Sequence, residues 1–301
     1  MRWGSNITVL GVGPTIHAKW FSKTVLNQTV SDRPLILGFL SDLFFLVRLE
    51  EAAKALNYRT KWVEKAEDVG IQNCDRWESE LQLLEMITLD RPGLIVFDLG
   101  DKNLPWKDWL TWIKTSPATR RIPVLCYGPH VKREELETAR CIGAEQVLAR
   151  SALSAQIVET LQKMIHPLCR GNLAKVCRED LSPAARRGIQ LFNRGDYFEA
   201  HEALEMAWNQ EADPGRELYR ALLQTAVAYY QAAQGNYYGA RKMFLRLRQW
   251  IDPLPPVCRG LDIARLRADI EMVYSAVLRL GPERLKEIDA ALFRPISFKD
   301  K

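Results

Sequence analysis

The chain has 301 residues, 47% hydrophobic and 26% charged, with a net charge of +5. That length accommodates two ordinary domains, and the composition is that of a globular protein. No apolar run approaches the roughly 20 residues that a membrane-spanning helix needs, so no membrane association is expected. A charge excess this mild does not suggest a nucleic-acid partner, because such binders usually concentrate more positive charge on one face. The basic run Arg241, Lys242, Arg246 and Arg248 would scatter around a helix and reads as a solvated face.

The six cysteines are Cys74, Cys126, Cys141, Cys169, Cys177 and Cys258. None forms a C-x-x-C pair or lies at ligand spacing from a histidine, so a zinc ribbon is not expected. Cys126 and Cys141 sit in apolar runs and read as small core residues. This usage points to a reducing cytoplasm. Residues 1–33 read as a poorly ordered extension. Their short Ile7–Val12 apolar stretch does not make a signal peptide, and Gly11 and Gly13 do not complete a nucleotide fingerprint.

From Pro34 the pattern alternates between strand and helix. "PLILGFL" precedes an amphipathic stretch in which Leu43, Leu46, Val47, Leu49 and Ala53 recur at helical spacing. "RTKWVE" reads as a strand, "ESELQLLEMITLDRP" as a helix and "GLIVFDL" as a strand ending in Asp98. "DWLTWIKTS", "IPVLCYG", "REELETARCIGA", "EQVLARS" and "SAQIVETLQKMI" continue the alternation. This predicts a doubly wound α/β domain over 34–168, with a parallel five-stranded sheet covered on both faces. Ligands of such sheets bind at the carboxyl ends of the strands.

Asp98 at the end of the third strand, Ile122-Pro123-Val124 opening the fourth and Gly143-Ala144 before the fifth resemble a response-regulator (CheY-like) receiver domain. That resemblance implies a flavodoxin-like fold and makes Asp98 the candidate phosphoacceptor, with Asp42 and Arg150 beside it. The chain departs from the family elsewhere. Leu40-Ser41-Asp42 offers one acid where two would hold Mg²⁺, which demands tight octahedral oxygen ligation. Tyr127-Gly128-Pro129 replaces the hydroxyl that ends the fourth strand, and Arg150-Ser151 stands where Lys-Pro is usual. The loop "LGDKNLPW" is also longer than usual. Phosphoryl transfer depends on charge neutralisation and positioning, so the expectation is a degenerate receiver in which Asp98 and Asp42 are residual polar groups paired with Arg150.

"HPLCRGNLAKVCREDLSP" reads as a linker, over 169–181. From Ser182 to about 296 the pattern is an all-α helical bundle without strands, with helices at 183–194, 197–211, 214–234, 237–251, 262–280 and 282–292. Asp196 with Glu199 reads as an acidic capping box, while Asp213-Pro214 and Asn236 read as further helix starts. Gly195-Asp196-Tyr197-Phe198-Glu199-Ala200 recurs 40 residues later as Gly235-Asn236-Tyr237-Tyr238-Gly239-Ala240. Each copy ends one helix on Gly, caps the next and turns a Tyr and an Ala inward.

The central motif is His201-Glu202 with Glu205 and Trp208. His201, Glu205 and Trp208 share one helical face. Three readings of it stand side by side. The first is a structural network bonding His201, Glu202 and Glu205 to Arg216, Arg220, Gln224 or a tyrosine hydroxyl. The second is a ligand pocket lined by Tyr197, Trp208, Tyr229 and Tyr230. The third is a metal or acid/base enzyme site.

The run from Phe192 to Trp208, with Gln224, Gly235, Asn236, Gly239 and Ala240 in a second block, resembles the family called domain of unknown function 309, over about 182–293. That family has no established activity. Its members commonly carry a histidine where this chain has Gln231. No cofactor or resident metal is expected. The expected role is non-catalytic signalling or regulation through a protein partner, with a homodimer through the receiver-like half as a further expectation. The alternatives are an enzyme or ligand binder centred on His201, Glu202 and Glu205, and a phosphorelay regulator using Asp98.

Overall fold

The computed structural model describes residues 33–71, 75–165, 173–211 and 214–299. The expected extension, Cys74, the 169–172 part of the linker with Cys169, and the Asp213 cap lie outside them, Arg33 excepted.

The first half builds five strands and the helices between them. They are β1 (Leu35–Phe39), α1 (Leu43–Ala55), β2 (Arg59–Val63), α2 (Arg76–Asp90), β3 (Leu94–Asp98), α3 (Trp106–Thr115), β4 (Val124–Gly128), α4 (Arg133–Ile142), β5 (Gln146–Ala149), α5 (Arg150–Ala155) and α6 (Ile157–Met164). All five strands pair in parallel in the order β2-β1-β3-β4-β5. This is the flavodoxin-like winding, with its switch point between β1 and β3. β1, β3 and β4 are buried throughout, which is why they read as unbroken apolar runs. One face packs Phe39, Phe97 and Val124 against Trp109 and Leu83, and the other packs Ile36, Val96 and Leu125 against Phe45, Leu49 and Leu161.

Two expectations are corrected here. The strand read through Ser151 stops at Ala149, so Arg150 opens a helix. On α1 the core face is Phe45, Leu46, Leu49, Ala52 and Ala53, while Leu43 and Val47 face outward. Helical periodicity identified the helix, but it did not choose between two partly apolar stripes.

A short α7 (Leu173–Val176) leads into α8 (Pro183–Arg194), α9 (Tyr197–Gln210), α10 (Arg216–Ala233), α11 (Tyr237–Ile251) and α12 (Ile263–Arg284). Ser182 caps α8 by accepting from the Ala185 N–H at 3.2 Å, and Asn236 caps α11 by accepting from Gly239 at 3.0 Å. Asp196 makes no such cap bond, contrary to the capping-box expectation. The 40-residue echo is geometric as well. Gly195 and Gly235 take φ values of 88° and 74°, and Ala200 and Ala240 are fully buried, which brings α8 close to α9 and α10 close to α11. Gly281 (φ 69°) interrupts α12 and Pro282 starts its last turn.

A strand-free second half is also corrected. β6 (Val257–Cys258) and β7 (Leu261–Asp262) form a small antiparallel hairpin. Two-residue strands carry too little alternation to stand out in sequence. Cys177 and Cys258 form a disulfide that ties the linker to this hairpin. The pairing was invisible at 81 residues of separation. It removes the cysteine-based support for a reducing compartment, because disulfides persist in oxidising ones. Cys126 is buried as expected, but Cys141 is exposed.

The two halves share a core. α2 sends Leu83 and Ile87 to the sheet and Leu81 and Leu84 into the core of the helical half. Arg241 of α11, with its side chain 1% exposed, crosses the seam to Glu78 at 2.6 Å and Glu85 at 3.4 Å, and also donates to the Tyr237 hydroxyl. Arg91 pairs with Asp252 at 2.5 Å. The solvated-face reading of the 241–248 run is therefore corrected: Arg241 is buried at the seam, Arg248 pairs with Glu271 at 2.9 Å, and Lys242 lies over Trp77. A charge run specifies no face until the neighbouring domain is in place.

Candidate functional site

The strand ends of the sheet gather Asp98 from β3, Asp42 from the β1–α1 turn and Arg150 from the start of α5. Asp98 is 2% exposed. Arg150 donates through Nη2 to Asp98 Oδ2 and through Nη1 to Asp42 Oδ2, each at 2.5 Å. One guanidinium thus bridges the two carboxylates. Asp42 uses its other oxygen to cap α1, accepting from the Phe44 and Phe45 N–H groups. Asp98 Oδ1 accepts the Gly100 N–H at 2.8 Å. A Cβ at Gly100 would come 3.0 Å from that oxygen and 3.2 Å from Pro129, so the backbone approaches the carboxylate where glycine leaves room.

The long loop after Asp98 folds back over the β1 turn. Asp101 accepts from the Ser41 and Asn103 N–H groups, both at 2.8 Å. Its charge is spent on backbone donors. Sequence inspection missed this role, although the D-x-N spacing of a turn-forming Asp was a usable signal.

Burial pushes the Asp98 carboxyl above its ordinary range, against the opposing effects of the Gly100 N–H and Arg150. Burial likewise raises Tyr127, and the charge of Asp98 adds to this. Burial disfavours the Arg150 charge, but Asp98, Tyr127 and Asp42 outweigh it and hold Arg150 above the ordinary arginine value. Its guanidinium also lies 5.6 Å from the Phe45 ring and 5.7 Å from the Tyr127 ring. An open cleft of about 560 Å³ lies over this cluster, lined by Phe45, Arg48, Pro129, His130, Arg150 and Ser154 among others. At its edge Arg48 holds the Ser154 hydroxyl and carbonyl. Leu43, Phe44 and Val47 of α1 are 64%, 90% and 52% exposed.

The helical motif differs from the face read in the sequence. α9 buries Ala200, Leu204 and Ala207, whereas Glu202 and Glu205 are exposed and His201 is half-buried. Among the described residues, none of the hydrogen bonds or ion pairs of the structure joins His201, Glu202 or Glu205 to Arg220 or Gln224. Small alanines form the contact surface, so the larger residues beside them lie toward the rim. Gln224 is buried on α10. The four aromatic candidates divide among separate contacts. Tyr197 and Tyr229 pack edge-on at 5.7 Å beside Phe192 and Phe293, Tyr230 lies against Phe198, and Trp208 is faced by Arg216 and Arg220. They do not line one pocket. Among the described residues no group of three or more His, Cys, Asp or Glu side chains is arranged to hold a metal ion, and no helix is long and apolar enough to cross a membrane.

Comparison with known proteins adds the following. Residues 185–243 match the family described as Domain of unknown function (DUF309). An uncharacterized protein of Aquifex aeolicus is 28% identical over 99 residues, which span 32% of this chain and 29% of that relative's length. Three similar solved structures are receiver or response-regulator proteins. The signal receiver domain of a Luxo repressor protein from Vibrio parahaemolyticus is 18% identical at a TM-score of 0.34, covering 44% of this chain and 90% of its own. A response regulator from Chloroflexus aurantiacus is 14% identical at 0.36, covering 44% and 98%. The receiver domain of a sensor histidine kinase from Pseudomonas aeruginosa is 18% identical at 0.35, covering 44% and 98%. The chain therefore joins a receiver-like α/β half, defined by its 2-1-3-4-5 parallel sheet, to a helical half whose residues 185–243 match DUF309.

Proposed function

We propose that this protein is a non-catalytic signalling or regulatory protein, in which a pseudo-receiver is joined to a helical domain and acts through a protein partner. One observation carries this reading: the Arg150 guanidinium bridges Asp98 and Asp42 at 2.5 Å each. A receiver that accepts phosphate needs those carboxylate oxygens for Mg²⁺ at about 2.0–2.1 Å. Here a guanidinium already occupies one oxygen of each carboxylate, and Asp101 is committed to backbone N–H groups. Asp98 is then a structural anchor for Arg150.

The exposed Leu43, Phe44 and Val47 beside the cleft support a contact surface for a protein, since contiguous exposed apolar side chains mark such sites. The outward position of Glu202 and Glu205 gives the enzymatic alternative no support of its own.

The test is exposure of the full chain to acetyl phosphate with Mg²⁺, followed by intact-mass analysis. This reading expects no phosphoryl adduct on the wild-type chain. An adduct that disappears in Asp98→Asn would establish a working phosphoacceptor and overturn the proposal. Phe44→Asp is expected to weaken capture of the partner while leaving the fold intact. Unchanged capture would move the contact elsewhere.

A further inference from the structure

A second charged assembly lies where α10 and α11 meet the loop between α3 and β4. Trp208 of α9 is faced by Arg216 at 4.7 Å and Arg220 at 5.0 Å from its ring centre. Arg220 also lies 4.0 Å from the centre of Trp250, and Arg121 faces the same ring at 4.9 Å. The two indoles and three guanidiniums therefore form one connected set of cation–π contacts that runs from the helical half to the receiver-like half. Gln249 Nε2 donates to the Pro117 carbonyl at 3.0 Å and fixes the loop against α11. Arg246 and Arg120 adjoin this set. Arg246 is held below the ordinary arginine range by burial and by Arg120 and Arg121. Arg220 is lowered by burial and by Arg121, Arg246 and Arg216, with Glu217 opposing.

Arg91, Arg150, Arg241, Arg248 and Arg259 each pair with a carboxylate. Among the described residues, no ion pair of the structure reaches Arg120, Arg121, Arg220 or Arg246. Crowding guanidiniums is unfavourable, and Glu217 and the aromatic faces relieve only part of the cost. The second, independent sign is a surplus of donors. Both indole Nε1 groups, of Trp208 and Trp250, are buried and meet no acceptor among the described residues. Trp250 is only 8% exposed. Buried N–H groups are normally paired, and this site offers donors and positive charge with little to accept them.

We propose that this arginine–tryptophan seam is a binding site for a small, multiply charged phosphate, such as a pyrophosphate-bearing compound. Contact with the indoles holds the guanidinium planes in place, which lowers the ordering cost of multidentate contact with phosphate oxygens. A small ligand fits better than a nucleic-acid strand. The indoles are engaged by guanidiniums and Trp250 is only 8% exposed, so they make a poor platform for successive bases. Because Arg121 and Arg220 come from different halves, occupancy would bridge the seam.

Calorimetric titration of the full chain with pyrophosphate tests this. One saturable site per chain is expected. Arg220→Gln should weaken it by about tenfold or more, as expected for loss of a charge-assisted contact. Arg120→Gln/Arg121→Gln changes only exposed side chains, keeps the fold checkable by circular dichroism, and should weaken binding to a similar extent. The exposed Arg186→Gln should leave it unchanged. Absence of saturable binding to folded protein would overturn the proposal, as would full affinity in Arg120→Gln/Arg121→Gln. So would tighter binding of an oligothymidylate than of pyrophosphate with affinity rising with its length, which would indicate a nucleic-acid channel instead.

Discussion

Two clusters in this molecule have the same chemical make-up, one arginine and two carboxylates, and differ in what surrounds them. Arg241 with Glu78 and Glu85 lies in the seam between the halves, its side chain 1% exposed. Arg150 with Asp98 and Asp42 lies under an open cleft, its side chain 36% exposed. In the seam, removing the cation strands charge away from water. At the cleft, water can take the place of the guanidinium and solvate Asp42, although Asp98 stays buried. The difference is that a buried arginine fixes one domain on another, whereas a cleft arginine sets the charge of a surface that other molecules can reach.

The largest effect should come from breaking the seam. Arg241→Ala is expected to destabilise the chain by about 3–5 kcal/mol, as when one partner of a buried ion pair is removed. Urea unfolding measures it, and a loss below about 1 kcal/mol would make the seam no more than a surface contact.

Reduction of Cys177–Cys258 comes next, at about 2–4 kcal/mol for a bridge of this kind. Melting with and without reductant, compared with Cys258→Ser, checks it. The two treatments should give the same shift.

At the cleft, Arg150→Ala should cost less, about 1–2 kcal/mol, because solvent reaches Asp42 and the position the guanidinium vacates, and the raised pKa of Asp98 lets it take up a proton. Asp98→Asn sharpens the contrast through pH. A carboxyl whose pKa rises on folding holds its proton more tightly in the folded state, so it carries no penalty in acid. The penalty develops as pH climbs from the ordinary aspartate value of 3.8 through the raised folded value. Asp98→Asn should therefore gain stability relative to the wild-type chain across that window. A relative loss as pH rises would mean that Arg150 outweighs burial.

The smallest effect is expected at His201. His201→Ala should change stability by no more than about 0.5 kcal/mol, as at positions outside a bonded network. A loss of several kcal/mol would restore the structural-network reading of the His201-Glu202 motif.

The parallel sheet was legible because buried strands flanked by amphipathic helices leave an unmistakable alternation, and Asp98 was legible because it closes the β3 apolar run. Arg150 could be named as the partner of Asp98 and Asp42 because the receiver resemblance puts the end of β5 on the same carboxyl edge of the sheet as the ends of β1 and β3, although β4 lies between β5 and β3. The α9 motif was misread because amphipathicity was judged by residue size. Ala200, Leu204 and Ala207 form the packed face, since close helix approach selects small side chains there.

Sequence alone determined the five strands of the sheet, the main helices, their order and the change from a sheet half to a helical half, because these follow from local periodicity and turn residues. Only the tertiary structure decided which charges are buried, which cysteines meet and which arginines crowd the tryptophans. Arg241 pairs with residues 163 and 156 positions away, and Cys177 with one 81 away. Such pairings depend on how distant segments meet in the finished fold, and no local pattern encodes that.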